Sequence, residues 1–174
     1  APTSACWKRA GLAEGIHRPA DELLASQTIP MAMGAVFRRE LLPALLPNDA
    51  GPAYDLWLTY LLCREGLGAY YVRDRLSAWR AHAGNLTSRG GRDWSLGAAE
   101  CWRAVSTDPH LASIRKVADR KAASAFCSCA VSSWLAGQRT DCLSLGWRSM
   151  ISHPTWKGLL ACFLPLVPRR LASR

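Results

Sequence analysis

Residues 54–72 read Y-D-L-W-L-T-Y-L-L-C-R-E-G-L-G-A-Y-Y-V, and residues 79–85 follow as W-R-A-H-A-G-N. In the first run Tyr54, Trp57, Leu58, Leu61 and Leu62 recur at helical spacing, which predicts an amphipathic helix over 54–65. Asp55 stands in its opening turn, and Gly66 follows its end, where a glycine commonly closes a helix. Residues 69–72 are aromatic and β-branched and predict a strand. Asp74 and Arg75 turn the chain, 76–79 predicts a second short strand, and the polar stretch 80–88 reads as a binding loop. A helix, a turn and a strand in that order can fold the Asp55 carboxylate toward the Arg80 guanidinium, the His82 imidazole and the Asn85 amide.

Upstream, 28–37 (T-I-P-M-A-M-G-A-V-F) is apolar and compact, fitting a buried strand or an extended loop, with Gly34 where a side chain is disfavoured. Residues 38–42 open a short helix that stops near Pro47, and 48–52 (N-D-A-G-P) is loop by composition. A second short helix, with acidic residues in its first turn, is predicted over 20–26. Residues 1–19, with Pro2, Gly11, Gly15 and Pro19, read as loop. Beyond Gly90-Gly91 the character changes. Residues 94–105, 111–136 and 140–151 are helical patterns rich in small residues, broken at Asp108-Pro109 and at Gly137. The segment 156–174 sets Leu159, Leu160, Phe163 and Leu164 beside Lys157, Arg169, Arg170 and Arg174, a basic amphipathic piece suited to an anionic membrane surface.

The 174 residues suffice for one domain, or one domain with an appendage, around a real core. A net charge of +9 permits anionic partners, but the basic residues are spread along the chain and most read as solvated surface. A nucleic-acid module would cluster arginines and aromatics on one face. The tryptophans here are scattered, so no nucleic acid is expected. None of the seven cysteines forms a pair with the two-residue gap of a zinc knuckle. Cys127 and Cys129 on a helix point about 200° apart. The reading is reduced thiols, a cytosolic environment and no structural metal. The longest apolar run, 159–168, contains two prolines and is shorter than the roughly 20 residues a membrane span needs. The chain starts at Ala1 without a methionine, and it reads as a piece of something longer.

Four blocks taken together carry a resemblance: G-A-V-F-R-R-E-L-L at 34–42, Y-D-L-W-L at 54–58, G-A-Y-Y-V at 68–72 and L-S-A-W-R-A-H-A-G-N at 76–85. In this order, over residues 28 to 88, they resemble the second half of the family-2 glycosyltransferases of GT-A fold. The resemblance implies an α/β fold class. Residues 1–90 would be the acceptor-side half of a GT-A domain, and 91–174 a helical C-terminal extension with a basic amphipathic end. It implies an inverting, nucleotide-sugar-dependent transferase that builds cell-surface polysaccharide.

By resemblance Asp55 matches the family's catalytic aspartate, the general base that takes the acceptor hydroxyl's proton. Read alone, it is equally suited to cap a helix. The family often has an acidic residue just before this one, and Tyr54 stands there instead. Arg80 would bind the leaving nucleoside diphosphate through paired donors, with a surface salt bridge as the plainer reading. His82 would hold the metal on that diphosphate or hydrogen-bond it, and a buried, hydrogen-bonded histidine is the alternative. Trp57 and Trp79 offer indole faces for a sugar, although Trp57 reads better as core packing. The family usually has Tyr where Trp79 sits. One of Arg38 and Arg39 would reach the cleft while the other is solvated, with Arg38 the one assigned to substrate, and Gly34 would let the backbone approach the acceptor.

The family's first half supplies a nucleotide-binding βαβ unit and an Asp-x-Asp that carries Mg²⁺ or Mn²⁺. No Asp-x-Asp occurs here. The divalent cation is thus expected to be held mainly outside this chain, which alone should not turn over a nucleotide sugar. The implied partners are a nucleotide-sugar donor, a saccharide or lipid-linked acceptor, and an anionic membrane surface. The implied location is cytoplasmic, peripheral on the inner face of the membrane.

Overall fold

The computed structural model describes residues 13–17, 20, 24–25, 36–41, 51–72, 74 and 91–167. The helix predicted from residue 54 forms as α1, Tyr54–Arg64, entered through a 3-10 turn at Gly51–Ala53. Its inward face is Leu56, Tyr60 and Cys63. It closes on Gly66, whose φ of 70° an L side chain rarely adopts. There the Gly66 N–H donates to the Cys63 carbonyl at 3.0 Å and the Leu67 N–H to Leu62 at 2.9 Å. This is the paired closure of a Schellman motif.

The aromatic run then forms β2, Ala69–Tyr71, antiparallel to β1, Gly15–His17, with Ile16 opposite Tyr70. The stretch expected to be loop over 1–19 therefore contributes a strand. A local run of aromatic residues signals strand preference but does not name its partner, which here lies more than fifty positions earlier in the chain.

The remaining helices are α2 (Gly91–Thr107), α3 (Arg115–Leu135), α4 (Arg139–Ser152) and α5 (Trp156–Phe163). A 3-10 segment, Pro109–Ile114, joins α2 to α3, so the single helix expected over 111–136 is split. Asp108 caps that segment by accepting from the His110 N–H, and Pro109 occupies its first turn. Gly137, with φ of 85°, closes α3 with the same paired bonds seen at Gly66. Within the basic amphipathic piece read over 156–174, α5 ends at Phe163, and Leu164–Leu166, which includes Pro165, is a 3-10 turn.

Consecutive helices pack on one another, and one continuous core runs from Leu24 through α1 to α5. Small residues let the axes close up. Ala118, Ala122, Cys129, Ala130 and Ser133 line the buried side of α3, with Phe126 among them. A side chain at Gly146 of α4 would begin 3.0 Å from the Cys162 backbone nitrogen of α5. Polar links cross the same seams. The Ser149 hydroxyl donates to the Ala123 carbonyl at 2.7 Å. Arg148 pairs with Glu100 and lies over the Phe126 ring at 4.3 Å, joining α2, α3 and α4. Cys127 and Cys129 diverge as their spacing requires: one Sγ lies 3.6 Å from the Lys157 carbonyl, the other 3.6 Å from that of Arg92.

The α/β fold class expected from the resemblance is overturned. Of the described residues 78% are helical and 5% are strand, in a single two-stranded sheet. Helix packs on helix here. An α/β half-domain would need helices laid on the face of a multi-stranded sheet, and β2 has one short antiparallel partner among the described residues.

Candidate functional site

Asp55 occupies the second position of α1, behind the N-cap Ala53, which has no side chain to offer the helix. Its Oδ1 accepts the Leu56 N–H at 2.8 Å, so it satisfies one of the amides that the helix start leaves open. The two readings of Asp55 are therefore compatible. One oxygen serves the helix, and among the described residues Oδ2 accepts no hydrogen bond. The residue is half-buried where α1 meets α2. Its charge is felt by Cys101 of α2: burial first, and then the Asp55 carboxylate, push that thiol far up. Burial alone raises Cys63 to about 11, so these thiols stay protonated and are poor nucleophiles near neutral pH.

Trp57 is half-buried against the core and stands edge-on to Tyr60, with ring centroids 5.9 Å apart. Its indole N–H is buried without an acceptor among the described residues. Arg38 is exposed in the stretch before the 3-10 turn at Arg39–Leu41. Gly34, Trp79, Arg80, His82 and Asn85 lie outside the described residues, and so does the metal-holding role expected of His82. Among the described residues no group of three or more His, Cys, Asp or Glu side chains could hold a metal ion.

What fixes α1, and Asp55 with it, is a cluster that the sequence reading passed over as a helix break. Asp108 is 7% exposed. Its Oδ2 accepts the Tyr60 hydroxyl at 2.9 Å and faces the Arg64 Nε at 3.2 Å, while Oδ1 takes the His110 amide at 2.9 Å. Burial by itself would raise this carboxyl. The His110 amide, the Tyr60 hydroxyl and the Arg64 guanidinium outweigh that and hold it below the usual carboxylate range. Tyr60 is pushed up to about 12, by burial first and then by its bond to Asp108. The Asp-Pro pair was a readable start signal. Its partners, 48 and 44 positions earlier, were not readable.

Comparison with protein-family models, with curated proteins and with solved structures finds no match to this chain. No helix among the described residues is long and apolar enough to cross a membrane.

Proposed function

We propose that the chain contributes the acceptor side of a nucleotide-sugar-dependent glycosyltransferase, with Asp55 as general base and the donor side outside these residues. The observation that supports this most is the Asp55 carboxylate itself. It stands half-buried at the first turn of a helix that is followed, in the order of the resembling blocks, by a glycine closure and a strand. One oxygen is spent on the helix and the other is uncommitted among the described residues. In the reaction an acceptor hydroxyl oxygen bonds to the anomeric carbon as the bond from that carbon to the diphosphate oxygen breaks. The hydroxyl proton passes to the carboxylate, the electron pair leaves with the nucleoside diphosphate, and the configuration inverts. Arg80 and His82 would meet the charge developing on that leaving group, with a divalent cation supplying further neutralisation. The acceptor would be a saccharide or lipid-linked saccharide of the cell envelope, handled at the cytoplasmic side of the membrane.

The test uses the full-length transferase. Asp55→Asn should lower transfer about 10³-fold, within the range a general base supplies, while nucleoside diphosphate binding is retained. Arg80→Ala should weaken that binding instead. Transfer by Asp55→Asn at near the parent rate would reduce Asp55 to a helix-terminal residue and end the proposal.

A further inference from the structure

The surface that α4 and α5 share is apolar where a solvated helix pair should be polar. On α4, Leu143, Trp147 and Ile151 recur every fourth residue and are exposed, Trp147 by 63%. Each lies one helical step, 100°, past a residue nearer the α5 contact; for Trp147 that residue is Gly146, where an added side chain would meet the α5 backbone. On α5, Gly158 and Ala161 face inward, and Trp156, Leu159, Leu160 and Phe163 take the opposite arc, Trp156 being 68% exposed. Gly146 of α4 packs against Cys162 of α5, and Gly158 of α5 against Ser149 and Met150 of α4, so both arcs belong to one packed helix pair. The amphipathic piece legible in the sequence began at residue 156. The α4 stripe adds Leu143, Trp147 and Ile151 to the exposed apolar surface of the pair.

Charge selects the occupant. From residue 142 to 174 there is no Asp or Glu, against five Lys and Arg: Arg148, Lys157, Arg169, Arg170 and Arg174. Arg148 is committed to Glu100, but Lys157 is exposed beside Trp156, its ammonium 5.8 Å from the ring. A second copy would bring like charges together. A nucleic acid would leave Ile151, Leu160 and Phe163 against phosphate and water. An anionic bilayer satisfies both features, because indole rings favour the headgroup level and lysine and arginine meet lipid phosphate. We infer that the exposed apolar arcs of α4 and α5 dock on an anionic lipid bilayer, with Trp147, Ile151, Leu159, Leu160 and Phe163 entering the boundary between headgroups and acyl chains. This surface is separate from the sugar-transfer reading and does not rest on it.

The test is vesicle flotation of the 174-residue chain. Vesicles of phosphatidylglycerol mixed with phosphatidylcholine should carry it, with a blue shift of tryptophan emission. Pure phosphatidylcholine should carry much less, and added salt should release it. Trp147→Glu combined with Phe163→Glu should cut partitioning at least about tenfold. Both side chains are exposed, so the variant should keep the parent's thermal unfolding. Lys157→Gln should cost about fivefold. Binding that ignores phosphatidylglycerol, or that survives the double substitution in a folded variant, overturns the inference. So does a dimer, measured by light scattering, that the double substitution abolishes, since the face would then belong to a second copy.

Discussion

The stack of α2 to α5 and the short α1 region are held by different means. In the stack, alanines, cysteines, serines and two close-packed glycines bring neighbouring helices together, and each helix packs mainly on those before and after it. Among the described residues α1 packs on α2 and on the 3-10 turn before it, and a buried polar anchor there is Asp108. The stack is a scaffold whose stability is spread along many small contacts. Among the described residues α1 is joined to that scaffold by its apolar face and by the Tyr60 and Arg64 contacts with Asp108. A functional carboxylate on such an element can be repositioned without unfolding the scaffold, because local opening follows local contact density.

That contrast makes three predictions. Phe126→Ala empties the fully buried centre of the stack and removes the ring beneath Arg148, so urea unfolding should show a loss of about 4 kcal/mol. A loss well under that would mean the stack is not where stability is concentrated. Gly146→Val forces side-chain atoms against the α5 backbone, which cannot step aside as a flexible side chain could. It should cost about 3 kcal/mol, with α5 amides losing exchange protection before those of α3. Uniform loss across all helices would show α5 to be integral to the stack.

Asp108→Ala strands the buried Tyr60 hydroxyl and removes a cap, and should cost about 2 kcal/mol near neutral pH. Exchange should rise in α1 and stay slow in α3. The sign with pH follows from a folded-state carboxyl held below its ordinary value. Its ionised contribution is complete above the unfolded value of about 3.9 and disappears as the pH falls through the folded one. The gap between parent and variant should therefore narrow only in strong acid, and a gap already closed near neutrality would contradict the assignment.

Much of the helical half was legible because its signals are local. The patterns at 94–105 and 140–151 fall within α2 and α4, and the break at Gly137 is the observed closure of α3. The reading went wrong where it moved from local preference to architecture. Tyr70 and Tyr71 do form a strand, but their pairing with Gly15–His17 rests on contacts that no periodicity encodes. The extrapolation to an α/β half-domain failed at that step. Asp108 was likewise read as punctuation, because its role depends on Tyr60 and Arg64 arriving from another helix. Of the candidate site, the position of Asp55 in the first turn of α1 was legible, and its proximity to Cys101 was not.

By itself the order of residues placed α1, α2 and α4 to within a few positions, since caps, glycines and apolar spacing act locally. It also determined that the chain after residue 141 carries no carboxylate side chain. Tertiary structure alone decided that helix would pack on helix, that Asp108 would anchor α1, and that Trp147 and Ile151 would stay exposed on α4 while Gly146 packs against α5. Those outcomes depend on which distant surfaces meet, and the energy of meeting belongs to the pair of surfaces and to neither segment alone.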